Sequence, residues 1–417
     1  MVRNAKSDER AGRPPVTPQA VRAKPIPMLT RRTLIAAALA TPAAAQVDLG
    51  FAENGLRLTT STFPQKGEMI LQRSTPPLLE TPMAVFNDHD FTPNDRFFVR
   101  WHYPFPTSID PARHRLRLAG HVNRPLSLSL ADLARLPRVA LAAVNQCAGN
   151  GRGLFAPRVA GAQWANGAMG NARWEGVRLK DVLALAGVKA GAVAVHFGGL
   201  DAPQVDSAPD YAKSLPIDHA LSDDVLIAWG MNGTPLPLLN GFPLRLVVPG
   251  WYSTYWVKML DQIEVLDRAD EGFWMAKAYL QPANPLADVT PGAPAGLRVP
   301  VSIMRPRAVV TNITDGARLP PRAFTPVQGV ALGGDHGVTR VELSADGGAS
   351  WVPAQLGPDH GRYAFRRFRG ALALPPGKHI ILARATNAAG VSQPLSQNWN
   401  PSGYNRAGVD PVRLEIV

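Results

Sequence analysis

The sequence holds one cysteine, Cys147, among 417 residues. That excludes internal disulfides, and with them a small cross-linked scaffold. No Cys-x-x-Cys-His occurs, so no c-type haem is attached to this chain. No Gly-x-x-x-x-Gly-Lys-Ser/Thr loop is present to cradle a nucleotide phosphate. The longest apolar run falls far below the roughly 20 residues of a membrane-spanning helix. A basic stripe for nucleic acid is also lacking. The net charge is +12, but residues 1–45 carry eight basic and two acidic side chains, half of the total. The rest is a mild excess over a large chain.

The basic N-terminal segment reads as an export signal. Thr30-Arg31-Arg32-Thr33-Leu34 is a twin-arginine pair, the apolar run Leu34 to Ala40 follows, and Ala43-Ala44-Ala45 offers a small-residue cleavage site. As a Tat signal it sends the mature chain to the periplasm by a route that carries folded proteins, which suits a cofactor inserted before export. The bland alternative is a basic tail with a short helix. Met1 and Met28 are both candidate starts.

Forty prolines and 37 glycines point to many turns, and the length to two or three domains. Residues 46–90 read as a mostly extended, Pro-rich arm. Phe97 to Tyr103 alternates bulky residues and reads as a strand ending at Pro104, which puts Arg100 and His102 on one face. The apolar run Val139 to Val144 is β-like. Residues 162–174 look too irregular for a regular element, and Trp174 to Leu183 starts a helix. Val193 to Phe197, Val225 to Trp229 and Leu244 to Val248 read as strands, with a turn at Asn232-Gly233. Residues 282–300 read as a surface linker. From Ser302 short alternating strands recur, at 308–311, 325–332, 338–344, 349–355 and 379–386, which argues for an immunoglobulin-type β-sandwich.

The chemistry gathers at Asn145-Gln146-Cys147-Ala148-Gly149-Asn150-Gly151-Arg152-Gly153. Its glycines let the backbone bend tightly, and Arg152 lies close enough to share a pocket with the sulfur. A buried structural thiol is the bland reading. A thiolate beside a flexible, cationic loop suits a soft metal or a nucleophile. Arg245 sits in an otherwise apolar strand and needs either a salt-bridge partner or a ligand phosphate. Arg100 and His102 belong either to a solvated face or to an oxyanion site, where a guanidinium supplies a planar fork of donors. Asp201, after Gly198-Gly199-Leu200, could accept from ring N–H donors. Tyr279 by itself reads as packing.

The cysteine loop resembles that of the sulfite oxidase family of molybdenum enzymes. Further stretches resemble the family in the same order: Phe98-Val99-Arg100-Trp101-His102, Gly199-Leu200-Asp201, Asn240 to Gly250 with Arg245, Trp256-Val257-Lys258, and Phe273 to Tyr279. The signatures Val341 to Trp351 and Asn398 to Asn405 complete the set. The nearest type is the catalytic subunit of bacterial periplasmic sulfite dehydrogenases. The resemblance implies an α+β chain, with a mixed α/β molybdopterin domain over 46–300 and an immunoglobulin-like, dimerisation-type sandwich over 301–417. It implies that Cys147 ligates the molybdenum of a molybdopterin cofactor. Arg100 and Arg152 would hold sulfite, and Tyr279 would hydrogen-bond at the metal. Phe98 to His102, Asp201, Asn240, Arg245 and Trp256 to Lys258 would grip the pterin and its phosphate. The family's animal members carry a histidine where this chain has Asn240. The implied reaction is sulfite to sulfate at an oxo-molybdenum centre. With no haem on this chain, electrons would go to a separate c-type cytochrome, and the chain could form a homodimer. Alternatives are a molybdopterin sulfoxide or N-oxide reductase, a sulfur dehydrogenase of thiosulfate oxidation, and a periplasmic binding module without redox activity.

Overall fold

The computed structural model describes residues 45–51 and 53–417. The expected Tat segment lies, but for Ala45, outside the described residues. Helix is scarce because apolar runs are short and interrupted by Pro and Gly. The longest helix among the described residues, Leu179–Ala186, stops at Gly187 with φ of 68°, a left-handed cap that glycine adopts without a Cβ clash. No helix among the described residues is long and apolar enough to cross a membrane. The class is α+β, dominated by antiparallel sheet.

Three sheets make up the region before residue 283. In the first, Gln46–Asp48, Leu56–Thr60, Met69–Arg73, Leu78–Glu80 and Val99–Arg100 pair in chain order. The expected irregular arm is thus corrected to four strands. Met69, Ile70, Leu78 and Leu79 are buried, and pairing across the turn at 74–77 hides them despite the prolines. The expected strand over 97–103 shortens to Val99–Arg100. In the second sheet, Leu260–Leu266 runs parallel to Leu116–Gly120 and antiparallel to Ala194–Gly199. In the third, Arg138–Gln146 pairs along its whole length with Met169–Arg178, which pairs in turn with Leu226–Met231. Arg245–Val247 joins the last of these. The Asn232-Gly233 turn links Leu226–Met231 to Thr234–Pro235, with φ of 53° and 79°.

The strand Met169–Arg178 corrects the expectation of irregular chain running into a helix at Trp174. Gly, Asn and Ala are poor strand formers, but partners on both edges override propensity. Its glycines are there for close approach. A Cβ on Gly170 would lie 2.5 Å from the Phe97 ring, and one on Gly176 would lie 2.0 Å from the Ile227 carbonyl oxygen.

Beyond residue 300 two sheets face one another. One is ordered Arg307–Val310, Thr325–Leu332, Arg366–Leu372, Gln355–Leu356. The other is ordered Ala317–Leu319, Val412–Ile416, Gly377–Asn387, Val338–Ser344, Val352–Pro353. Val327, Ala331 and Phe368 from the first pack with Val341, Leu343, Ile381 and Ala383 from the second. Residues 283–297 leave and return through the paired strands Leu280–Pro282 and Arg298–Pro300. A further apolar cluster joins Phe86, Val144, Met169 and Tyr279 to Val309, Val330 and Phe365. The regions before and after the linker therefore share a core.

Candidate active site around Cys147

The strand Arg138–Gln146 delivers Cys147 to the end of the third sheet, where the chain turns tightly. Asn150 N donates to Cys147 O at 3.0 Å, and Arg152 N donates to Gly149 O at 3.0 Å. Gly151 takes φ of 83°, and a Cβ there would lie 2.6 Å from Arg406 Cδ, so the position requires glycine on both counts. The facing segment fixes the loop: Cys147 N donates to Ala168 O, and Gly151 N donates to Ala165 O. The Asn150 side chain accepts from Ala168 N at 2.9 Å and donates to Asn166 O at 3.1 Å. From the C-terminal region, Asn405 N donates to Ala148 O at 2.9 Å. Cys147 is buried, with a free thiol.

Two cavities meet at this sulfur. The inner one is bordered by Phe98, Arg100, His102, Cys147, Asn240, Arg245, Lys258 and Tyr279. Arg100 comes from the first sheet and Arg245 from the third, and the others come from the connections at strand ends. Arg100 and His102 both border this cavity, although His102 lies in a bend beyond the two-residue strand, so strand alternation is not what aims them together. The outer cavity, of about 360 Å³, is bordered by Arg100, Cys147, Arg152, Tyr279, Lys277, Arg298 and Tyr404. Arg100, Cys147 and Tyr279 form the shared wall.

The inner cavity gathers more cations than carboxylates: Arg100, Arg245 and Lys258 face it, with Asp201 as the nearby acid. Arg245 is 4% exposed, and among the described residues no carboxylate forms a salt bridge with it. Its Nη1 donates to Asn240 O at 2.8 Å and its Nη2 to Trp256 O at 3.4 Å. The guanidinium lies over Trp174 and Trp256, 4.8 and 5.6 Å from their centroids. Burial pulls its pKa down to about 9. Lys258 lies 4.3 Å over the Trp101 ring. Burial lowers Lys258 and raises Asp201, and each partly restores the other's charge. Buried donor atoms remain without a partner: Arg100 Nη1, Arg245 Nε, Asn145 Nδ2 and, on the outer side, Arg152 Nε. His102 Nδ1 is likewise unpartnered. Leaving such groups unpaired costs about 1–3 kcal/mol each, so the arrangement favours an anionic, hydrogen-bonding ligand.

Tyr279 and His102 form the polar end of the wall. His102 Nε2 and Tyr279 Oη share a 2.6 Å hydrogen bond. Burial, then Arg100, Lys258, Lys213 and Arg73, hold the His102 pKa well below its usual range, so the ring is neutral. Burial raises the Tyr279 pKa, outweighing the nearby Arg100 charge, so its hydroxyl keeps its proton. Tyr279 also has φ of 56°, a conformation a bulky side chain rarely holds without support. Its ring stacks on Tyr404 at 5.2 Å. Arg152 lies 4.9 Å over Tyr404 and donates from Nη2 to Ser402 O at 3.2 Å.

Five of the expected residues border neither cavity: Asp201, which is buried beside Lys258, and four that stand behind the wall. Val99 and Trp101 pack in one apolar cluster, and Trp256 and Val257 in another. Other residues join the site without having been foreseen. Lys66 Nζ is buried and donates to Asn94 O, Phe97 O and Asn240 Oδ1 at 2.7, 2.9 and 2.7 Å. Burial lowers its pKa to about 7 against the pull of Asp95. Asn240 Nδ2 donates to Phe98 O at 3.1 Å, so this amide is already oriented by protein groups. Lys213 Nζ donates to Trp274 O at 2.6 Å and lies 5.5 Å over Tyr279. Tyr211 stacks on His102 at 3.8 Å. The two lysines carry no local sequence signal. Tyr404 sits inside a C-terminal stretch whose resemblance does mark it.

Comparisons with known proteins agree with this arrangement. Residues 102–274 match the oxidoreductase molybdopterin binding domain. The chain is 36% identical to chicken (Gallus gallus) sulfite oxidase over 344 residues, covering 78% of this chain and 73% of that protein. It is 30% identical to sulfite oxidase of Arabidopsis thaliana over 364 residues, covering 81% and 91%. It spans from 51% to 73% of the vertebrate relatives' own lengths. Among solved structures, the sulfane dehydrogenase SoxCD of Paracoccus pantotrophus superposes with a TM-score of 0.68 at 26% identity, over 80% of this chain and 83% of that one. With Cys147 at the junction of two cationic cavities and these relatives matched over most of its length, the chain belongs to the sulfite oxidase family of molybdopterin oxidoreductases.

Proposed function

We propose that the protein oxidises sulfite to sulfate in the periplasm and passes the electrons to a separate c-type cytochrome. The observation that carries this is the excess of positive charge on either side of one free thiol: Arg245 inside and Arg152 outside form no salt bridge among the described residues, and Lys258 has only the carboxylate of Asp201 to offset it. The residues present fit a molybdenum-pterin group: Cys147 offers a soft sulfur ligand, and the unpartnered donors of Arg100, Arg245 and Asn145 suit its anionic and polar edges. Arg245 and Lys258 would hold its phosphate, with Asp201 and His102 toward the pterin. When bound, that group supplies two-electron oxidation of a sulfur oxyanion.

The chain's own residues bind, orient and manage protons. Arg100 and Arg152 would draw the dianion toward Cys147 and fix its oxygens. Tyr279 Oη shares a hydrogen bond with neutral His102 Nε2 on the same wall, and the raised tyrosine pKa and lowered histidine pKa keep that proton on the tyrosine, so the pair holds a neutral donor in place beside the thiol. The balance is sulfite plus water to sulfate, two protons and two electrons. The division into 1–45, 46–300 and 301–417, with dimerisation through the last part, belongs to the same proposal.

Metal and pterin content, paired with sulfite-dependent reduction of ferricyanide and cytochrome c, tests the reading. One molybdenum per chain with sulfite turnover, both lost in Cys147→Ser, is the expected result. Absence of molybdenum from protein matured with ample molybdate refutes it. The likeness to a sulfane dehydrogenase supports a second reading, in which a sulfane sulfur compound is the donor. Molybdenum with turnover of such a donor, and none of sulfite, would select it.

A further inference from the structure

The redox reading needs a way out for electrons, and an aromatic chain leads from the cavity wall to solvent. His102, bonded to Tyr279, stacks on Tyr211. Trp274 stands edge-on to both rings, 4.8 Å from His102 and 5.1 Å from Tyr211. Phe273 packs 5.1 Å from Trp274 and is 47% exposed. Two ring contacts therefore link the wall to the surface.

That surface has a defined rim. Trp274 Nε1 and Tyr103 Oη both donate to Pro209 O, at 3.3 and 2.9 Å, which holds the 202–210 segment against the aromatic cluster. This segment exposes Val205 and the acids Asp206 and Asp210. The Asp210 charge helps raise the Tyr103 pKa, after burial and Asp201, which places it beside the cluster. On the other side, exposed Glu271 lies two residues before Phe273. The patch is thus aromatic at its centre, with exposed Asp206, Asp210 and Glu271 flanking it in the chain against the exposed cation Lys277, whose backbone N–H donates to Phe273 O at 3.0 Å. Simple packing explains the buried rings but not the exposed Phe273 at the end of the chain of rings.

We propose that this acid-rimmed aromatic patch is the docking surface for a one-electron carrier with a basic face, a c-type cytochrome, and that electrons leave through Trp274. The inference rests on the redox reading above. Sulfite takes an oxygen from water to give sulfate and two protons, and its two electrons leave singly, each reducing one ferric haem to ferrous. Electron-transfer encounters bury little surface, and rim charges set their association rate and salt dependence.

The test uses molybdenum-loaded protein with sulfite, mitochondrial-type cytochrome c as the basic acceptor and ferricyanide as an anionic one. In the double reversal Asp210→Lys with Glu271→Lys, kcat/KM for cytochrome c falls about tenfold or more at low salt and loses most of its salt dependence. Ferricyanide turnover holds or rises, because its charge is opposite. Phe273→Ala lowers the cytochrome rate alone. Unchanged cytochrome kinetics in the reversal variant, whether or not self-association changes, overturns the proposal. So does an equal loss with both acceptors. No ferricyanide turnover in the unaltered protein sinks the sulfite reading and this surface with it.

Discussion

Replacing Arg245 by methionine should have opposite effects with and without cofactor. The guanidinium is buried, has no carboxylate in salt-bridge reach among the described residues, and has its pKa lowered from 12.5 to about 9 by burial. That drop corresponds to about 5 kcal/mol of charge burial borne by the folded chain at neutral pH. Methionine has a similar reach and no charge. It loses the stacking on Trp174 and Trp256, about 1 kcal/mol. It also frees the carbonyls of Asn240 and Trp256, for about 2 kcal/mol together. The cofactor-free variant should therefore be more stable by about 2 kcal/mol, raising Tm by about 2–4 °C. In the loaded protein the same change removes a charge-assisted phosphate contact. Pterin retained after gel filtration should fall at least about tenfold. The assay compares urea unfolding of protein made without cofactor with molybdenum and pterin content of protein made with it. A cofactor-free variant destabilised by about 2 kcal/mol or more, with pterin retention intact, would show Arg245 to be structural and refute the reasoning.

Lys66 and Lys213 are each lowered from 10.5 to about 7, chiefly by burial. Below pH 7 both folded and unfolded chains hold these protons and the burial cost is full. Between 7 and 10.5 only the folded chain releases them, so cofactor-free stability should rise with pH over that window, and Lys66→Met should flatten the rise in unfolding midpoints taken at pH 7 and 9.5. A Cβ on Gly149 would lie 2.7 Å from the Arg152 guanidinium, so Gly149→Ala should raise sulfite KM about tenfold with little change in pterin content, read by steady-state kinetics. Tyr279→Phe removes the 2.6 Å bond to His102 and should lower kcat about 10- to 100-fold while leaving molybdenum content unchanged.

What the sequence made legible were residues whose neighbours in the chain carry the signal. The Arg100/His102 pair, the glycines around Cys147 and a lone arginine in an apolar strand each announce a constraint locally. For Arg245 the choice between salt bridge and ligand was open, and burial without a carboxylate partner favours the ligand. Lys66 was invisible because its burial is decided by Asn240, 174 positions away, inside a Pro-rich stretch that reads as loop. The strand Met169–Arg178 was missed for a similar reason. Its glycines are explained by the Phe97 ring and the Ile227 carbonyl that they admit, and neither is adjacent in sequence. Alternation made the strands Arg307–Val310, Thr325–Leu332, Val338–Ser344 and Gly377–Asn387 legible, whereas Arg366–Leu372, rich in arginine, and the short Ala317–Leu319 and Val412–Ile416 were not.

The hydrogen bond from Arg152 to Ser402 joins groups 250 residues apart, and this separation has a meaning in time. Synthesis runs from the N-terminus and early regions fold first. A ribosome therefore completes the thiol loop and the three sheets around it well before it makes Ser402, Tyr404 and Arg406. Throughout that interval the cleft is missing one side. The last wall to be translated is the wall that narrows the mouth, so a bulky group has its widest access to Cys147 before translation ends. A truncated chain ending before residue 398 would lack Asn405, whose N–H holds Ala148 O, and would leave the thiol loop open and unbraced on that side.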